Sequence, residues 1–353
     1  MTHTKQSVRI DISKDSFTAC ICKRDVSGNF VFSKIASFTN EKSGFNQFLR
    51  WVNSEITKSI DLVFLMEATG VYYESLAHHL YKLKKTVHVA LPNTTKHYFS
   101  SLNIKTKTDE IDAKWLSQFG AERKHKIWNP PSRIVIELRN LTRYYVQLQE
   151  QRTVLGNIKH SKECSYEVQK FILQSNKNLI TQIDKQIAKC KEEIERLISS
   201  DDYLNQKVQK VLTIKGIGLM TIATILAETM CFEHFQNIKQ LSSFAGYDVV
   251  QRESGTSIKG KTRISKKGNR YIRNALYFPA MVACRFNPKM KETYIRINMK
   301  KPSKMIGQVA IQRKLLGLIF TLWKNDSVFD PEYKKVVSDK TETTQDSLTN
   351  KLL

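Results

Sequence analysis

Four acidic residues and one serine sit in surroundings that ask for a chemical reason. Asp11 lies in mid-strand between Ile10 and Ile12, so its side chain points to the face opposite theirs. Glu67 closes the apolar run Leu62-Val-Phe-Leu-Met66, at the C-terminal edge of a strand, where open α/β sheets put their ligands. Asp109 and Asp112 are spaced i,i+3 at a helix start and project from one face. In a sheet whose first and fourth strands are neighbours, Asp11 and Glu67 face one another. Four converging carboxylates repel unless cations neutralise them. That is the chemistry of a Mg²⁺ site in which two ions clamp the attacking and leaving oxygens of a phosphodiester. Taken singly, each has a plainer reading: Asp11 as a solvated strand residue, Glu67 as a neighbour of a helix N-cap, Asp109 and Asp112 as an N-cap and a first-turn acid favoured by the helix dipole. The ordered set carries the argument. Asp15, in the turn after the first strand, and Glu110, off the shared face, are read as bystanders.

The serine is Ser254, in the segment Gln251-Arg-Glu-Ser-Gly-Thr-Ser257, which reads as a polar loop. Behind it come Lys259, Lys261, Arg263, Lys266, Lys267, Arg270 and Arg273, positioned for phosphate contacts, with Gly255, Gly260 and Gly268 letting backbone approach a phosphate. No histidine lies close in sequence to act as base. A serine attacking a phosphodiester here would depend on the metal site and on Lys/Arg charge to stabilise the transition state. A Ser-Gly pair is also an ordinary turn, and a charge run an ordinary solvated face. Upstream, Ile214-Lys215-Gly216-Ile217-Gly218 leads into a helix from Leu219 to Thr229. Gly-Ile-Gly before a helix is the hairpin of helix-hairpin-helix elements, whose backbone amides hold a DNA phosphate; a plain packing corner between two helices reads the same way. Tyr271, Tyr277, Phe278, Phe286 and Tyr294 interleave the basic stretch and have the chemistry to stack on bases, with Phe278 expected in the core.

Two kinds of architecture must position these groups. Strands are expected at Ser7–Ser13, Ser16–Cys22 and Phe30–Phe38, then a helix near Glu41–Lys58, a buried strand Asp61–Met66, a helix Thr69–Lys84, a strand Thr86–Ala90 and a helix Asp109–Gly120. Three antiparallel strands followed by alternating helix and parallel strand is the ribonuclease H-like order, although an actin-like fold begins alike. Pro130-Pro131 marks a boundary. From Ser132 to Ser199 the chain is helical, with Ile180, Ile183, Ile187, Cys190, Ile194 and Leu197 stepping by three and four. That seam suits a coiled coil bent near Gly156 or at residues 162–165, closing either within the chain or between subunits. The remainder to Asn325 is helical, and the tail from Asp326 is polar and expected to be disordered.

Composition bounds the function. The 353 residues carry 57 Lys and Arg against 33 Asp and Glu, a net +24, yet 41% are hydrophobic, which makes a folded polycation and ranks nucleic acid first among partners. Between Arg252 and Lys314, 17 Lys and Arg face only Glu253 and Glu292, concentrating the nucleic-acid surface there. The most apolar stretch, Val309–Trp323, contains Gln312, Arg313 and Lys314 and reads as an amphipathic helix, so no membrane span is expected. The amino end runs directly into a strand, giving an expected cytoplasmic, nucleoid-associated location. Six scattered cysteines have no zinc spacing and read as buried free thiols, with Cys20 and Cys22 on one strand face.

The segments Arg9-Ile-Asp11-Ile-Ser-Lys14, Glu67-Ala-Thr-Gly-Val-Tyr72, Lys107-Thr-Asp109-Glu-Ile-Asp112-Ala113, Ile214–Gly218, Phe244-Ala-Gly246, Ser254-Gly255 and Arg263–Arg273 together resemble the DEDD transposases of the IS110 insertion-sequence family, which are similar to Piv-type site-specific DNA invertases. The resemblance implies an α/β plus all-α chain: a RuvC-like catalytic domain over 1–128, a coiled-coil helical linker over 129–201, a helical transposase domain over 202–325 and a tail over 326–353. It implies that Asp11, Glu67, Asp109 and Asp112 bind Mg²⁺ and that Ser254 is the catalytic serine. Some relatives have a second serine directly before the Ser-Gly pair; here Glu253 stands there, and Ser257 is a weaker candidate. Also implied are donor and target DNA, a non-coding bridge RNA, and homodimers or homotetramers in which the serine of one subunit joins the carboxylates of another. The expected activity is DNA strand cleavage and rejoining through a serine-linked intermediate. The alternatives are a RuvC-like structure-specific nuclease without that intermediate, or a non-catalytic nucleic-acid scaffold. An actin-like ATPase is disfavoured, because no second Asp-x-Gly phosphate loop is found.

Overall fold

A computed structural model of the chain describes residues 3–68, 70–101, 117–122, 126–251, 253–254, 258–260, 262–299 and 303–332. It divides into two units, Met1–Pro130 and Pro131–Leu353.

The first unit is a mixed sheet with helices. Strands β1 (His3–Ile12), β2 (Ser16–Asp25), β3 (Phe30–Phe32), β4 (Ala36–Thr39), β5 (Leu62–Glu67) and β6 (Thr86–Ala90) alternate with helices α1 (Lys42–Glu55), α2 (Glu74–Lys82), α3 (Pro92–Ser101) and α4 (residues 117–122). The strand order is β3-β2-β1-β5-β6, with β4 also beside β2. The β1–β2 pair is antiparallel, whereas β1–β5 and β5–β6 are parallel. Period-two alternation sorts the faces. Val8 and Ile10 of β1, with Phe64 and Met66 of β5, are buried in one cluster with Phe45, Phe48 and Val52 of α1 and Leu76, Ala77 and Leu80 of α2. Its aromatic centre is an edge-to-face pair, Phe17 and Phe48, with ring centroids 5.3 Å apart. On the opposite face, Leu65 is buried with Tyr98 of α3 and Phe119 of α4. The Ser7 hydroxyl donates to the Ser117 carbonyl, and a Cβ on Gly120 would come within 3.0 Å of Ser7, so α4 lies close on this face.

The third expected strand is two strands. The Ser33 amide donates to Ile21 O, and the Ser33 hydroxyl accepts from Ile21 N. A side chain thus completes the ladder where one would continue, and the strand breaks into β3 and β4 at a bulge. Helix α2 begins at Glu74 rather than Thr69, after a turn in which Gly70 takes a φ of +65°.

The second unit is mostly helical. It comprises α5 (Arg133–Glu163), α6 (Lys170–Ser199), α7 (Asp202–Leu212), α8 (Leu219–Thr229), α9 (Ile238–Phe244), α10 (Arg270–Ala275), α11 (Tyr277–Phe286), α12 (Pro288–Asn298) and α13 (Lys304–Asn325). The short strands β7 (Val249–Val250), β8 (Glu253–Ser254), β9 (Ile258–Lys259) and β10 (Arg263–Ile264) fall between α9 and α10. Helices α5 and α6 form an antiparallel hairpin bent at residues 164–169, with Gly156 inside the helix. Arg152 meets Asp184, Asn176 Nδ2 donates to Leu155 O, and Cys190 Sγ donates to Leu141 O. The seam is therefore closed within the chain. Its base, Leu138, Cys190, Ile194 and Ile198, shares a core with Ile222 and Leu226 of α8 and Ile311, Leu315 and Ile319 of α13.

By length and composition α13 is apolar enough to cross a membrane, but half of that stretch is buried inside the unit. Its Gln312 is buried too, accepting from the Tyr247 hydroxyl at 3.0 Å, as suits a core helix. Residues 326–332, expected in a disordered tail, are held instead. Lys210 meets Asp326 at 2.6 Å, Phe329 N donates to Thr213 Oγ1, and Lys289 Nζ donates to Pro331 O. Cys20, Cys22 and Cys190 are buried, Cys231 and Cys284 half-buried and Cys164 exposed near the hairpin bend. Cys164 thus departs from the expected burial, because the bend has no core beneath it. Phe278, expected in the core, is 71% exposed, since α11 buries Pro279, Ala280 and Ala283 and turns Phe278 away.

Candidate functional site

In the sheet unit the two described carboxylates stand side by side. The parallel register of β1 and β5 runs to Ile10 opposite Met66, so Asp11 and Glu67 are the next residues on neighbouring strands, on the face of Arg9 and Leu65. Asp11 is half exposed, and its Oδ2 lies 3.3 Å from the guanidinium of Arg9, whose side chain is 7% exposed. Glu67 is half-buried and its Oε2 accepts from the hydroxyl of Thr95, a buried residue of α3, at 3.1 Å. Asp109 and Asp112 lie outside the described residues. The chain they belong to re-enters at Ser117, and α4 packs on this face. Its Glu122 accepts from Tyr98 Oη at 2.8 Å and from Gln118 at 2.7 Å.

The donor set at this strand edge is two carboxylates and a hydroxyl, all oxygen, which suits a hard divalent cation. Among the described residues no group of three or more His, Cys, Asp or Glu is placed to hold a metal ion. A fuller set would draw on Asp109 and Asp112. Sequence reasoning passed over Arg9 and Thr95. Arg9 had a signal, since it alternates with Ser7 and Asp11 on the polar side of β1; Thr95 had none, because only the fold brings α3 to β5.

In the helical unit Glu253 and Ser254 of the serine segment lie in a short strand rather than a loop. Val249–Val250 pair antiparallel with Arg263–Ile264, and further out Glu253 pairs with Lys259 and Ser254 with Ile258. Ser254 is thus the last residue of β8, opposite Ile258. Residues 255–257, including Ser257, lie outside the described residues, as does Lys261.

The basic residues divide by environment. Arg263, Lys266, Lys267 and Arg270 are exposed, and the Arg270 guanidinium lies 5.2 Å from the Tyr271 ring centroid. Arg273 is half-buried and donates to Ala245 O at 2.7 Å and Asn269 O at 3.2 Å, so its charge is turned onto the protein's own backbone. Gly268 is a close approach: a Cβ there would sit 2.4 Å from Phe244 O. Lys259 pairs with Glu253 through its backbone.

Between α7 and α8, Ile214 and Ile217 are buried while Lys215, Gly216 and Gly218 are exposed. Gly216 takes a φ of +91°, and a Cβ on it would lie 2.5 Å from Val282 Cγ1. Gly218 caps α8 with extended backbone and open space around its Cα. The corner therefore serves packing through its isoleucines and through Gly216 against Val282, and presents Gly218 and Lys215 outward. Lys215 Nζ lies 5.2 Å from the Phe286 ring, which is 60% exposed.

Comparison with known proteins finds two family matches along the chain, the first of which runs from the sheet unit into the long hairpin. Residues 8–161 match a DEDD transposase model of the IS110 type, and residues 208–295 match the transposase IS116/IS110/IS902 family. Pilin gene-inverting proteins of Moraxella bovis and Moraxella lacunata are each 29% identical over 332 residues, covering 93% of this chain and 98% of the relative. An uncharacterized 43.6 kDa protein of insertion element IS110 from Streptomyces coelicolor is 24% identical over 121 residues, 34% of this chain and 30% of that protein. With both family domains present in order and relatives matched along nearly their whole length, the chain carries the transposase domains of the IS110 family and is a DNA transposase/recombinase enzyme.

Proposed function

We propose that this enzyme cleaves and rejoins DNA strands through a Mg²⁺-dependent serine nucleophile. The observation that carries the reading is the adjacent placement of Asp11 and Glu67 at the C-terminal ends of two parallel strands, on the face that α4 covers. The strand order, three antiparallel members followed by two parallel ones, supports a RuvC-like fold for this unit. Asp11 and Glu67, with Asp109 and Asp112, would hold the cations. When bound, Mg²⁺ supplies positive charge to the reacting phosphate and to its developing oxyanions. Arg9 restrains the Asp11 carboxylate and Thr95 that of Glu67.

Ser254 Oγ bonds to phosphorus as the bond from phosphorus to one sugar oxygen breaks; the serine gives up its proton and the leaving sugar oxygen takes one up. The phosphodiester energy is retained in the serine–phosphate link. An incoming sugar hydroxyl reverses the step, rejoining DNA and restoring the serine. Arg263, Lys266, Lys267, Arg270 and Lys215 neutralise backbone phosphates. The strong positive charge also accommodates a bridge RNA, and joining four DNA ends suits an assembly of two or four copies.

The test incubates the protein, co-expressed with the RNA of its flanking DNA, with labelled donor and target duplexes. Denaturing gels compare wild type, Asp11→Ala and Ser254→Ala in Mg²⁺ or chelator. A protein-linked DNA band lost in both variants and in chelator supports the proposal. Free DNA ends alone, persisting in Ser254→Ala, would assign the chain to the nuclease reading.

A further inference from the structure

Among the described residues of the helical unit, one acid is buried, and it lies among cations. Glu228, near the end of α8, has a side chain only 2% exposed. Both its oxygens are engaged: Oε1 accepts from Arg143 Nε at 2.7 Å, while Oε2 accepts from Arg143 Nη2 at 3.0 Å and from Asn269 Nδ2. Arg143 comes from α5, the first helix of the long hairpin, and its guanidinium lies 5.0 Å from the Tyr271 ring centroid. Arg270 lies against the same ring. Asn269 is a junction. Its Oδ1 accepts from Ile272 N and so caps α10, its amide donates to Phe244 O, and its carbonyl accepts from Arg273. It also sits between Lys266-Lys267-Gly268 and Arg270, the exposed cations assigned to phosphate contact.

We infer that Glu228 is a positioning residue for nucleic-acid binding, acting through Asn269 and the Arg143–Tyr271 stack to hold Lys266, Lys267 and Arg270 in a phosphate-contacting arrangement. This rests on the nucleic-acid reading above. The physical reason is local. Six neighbouring cations, Arg143, Arg263, Lys266, Lys267, Arg270 and Arg273, repel one another, and the segment carrying most of them has little regular structure of its own. A desolvated, fully hydrogen-bonded carboxylate supplies compensating charge and a fixed attachment point. Because Arg143 belongs to α5, the same carboxylate also couples the long hairpin to the basic segment.

The test uses Asn269→Ser, which keeps a side-chain acceptor to cap α10 but loses the donor to Glu228, beside Glu228→Gln. Full-length protein is titrated with labelled duplex DNA at several salt concentrations, and its helical signal and Tm are measured in parallel. The slope of log affinity against log salt counts phosphates engaged, which a purely structural role leaves unchanged. The expected result for Asn269→Ser is retained helicity, a slope reduced by about one and affinity about tenfold weaker near physiological salt. A wild-type slope and affinity in both variants would overturn the inference, whatever happens to Tm. Wild type that binds DNA without salt dependence would instead sink the nucleic-acid reading beneath it.

Discussion

The sheet unit and the helical unit hold their functional residues by different means. Asp11 and Glu67 are placed by strand register: once Val8 and Ile10 turn toward Phe48, Asp11 must point the other way, and no separate interaction is needed to decide it. The basic segment of the helical unit has no such lattice. Its shape depends on individual contacts: the Asn269 cap, the Glu228 carboxylate, the Arg273 bonds and the Gly268 approach. Carboxylates that bind cations have to be preorganised against mutual repulsion, and a sheet does that with its backbone. Cations that follow a phosphate backbone need a curved surface, which side-chain contacts assemble at the cost of sensitivity to single changes.

Single substitutions should have their largest effect at the sheet. Asp11→Ala or Glu67→Ala is expected to lower cleavage by about a thousandfold or more, several kcal/mol of charge stabilisation, with DNA affinity and Tm nearly unchanged. A large Tm loss with Asp11→Ala would mean that the carboxylate is structural. Next in size is Gly268→Ala. Its Cβ would press into Phe244 O and the Gly246 amide, so it should destabilise the helical unit by about 1–3 kcal/mol, read as a lower urea midpoint. Thr95→Val removes the hydroxyl on Glu67 and is expected to slow cleavage about tenfold, in keeping with a hydrogen bond to a charged group, while leaving DNA affinity intact.

Arg273 and Arg270 sharpen the contrast within one helix. Arg273→Ala should lower stability by about 1 kcal/mol through two lost backbone bonds, whereas Arg270→Ala should leave Tm unchanged and reduce the salt slope by about one. The smallest effect concerns thiols. Burial, aided by Cys20 and Glu122, pushes Cys22 up to about 12, so at pH 8 it stays a protonated thiol and resists alkylation in the native protein. Cys164, exposed, should be labelled first in peptide mapping.

What could be read from the sequence divides along the same line. The sheet order and the facing of Asp11 and Glu67 were legible because alternation and one continuous apolar run are local signals of side-chain direction. Helix α8 was legible at both ends, Leu219 and Thr229, with Gly218 directly before it. The break at Ser33 was not, since it depends on a hydroxyl meeting Ile21 across the sheet. Phe278 carried the same apolar signal as a core residue; only the placement of α12 and α13 decides which side of α11 is covered. Glu228 and Asn269 were invisible for a related reason: 41 residues separate them, and nothing in either neighbourhood announces the other. Contacts within a strand or helix leave a pattern, while contacts between distant turns leave none.

The most direct measurement is to map the attachment site of DNA on the protein. Wild-type enzyme is quenched during reaction with a labelled duplex in Mg²⁺, digested with protease and nuclease, and the nucleotide-bearing peptide is sequenced by mass spectrometry. The nucleotide is expected on Ser254, the last residue of β8. A nucleotide on Ser257, or complete cleavage with no modified peptide, would contradict it.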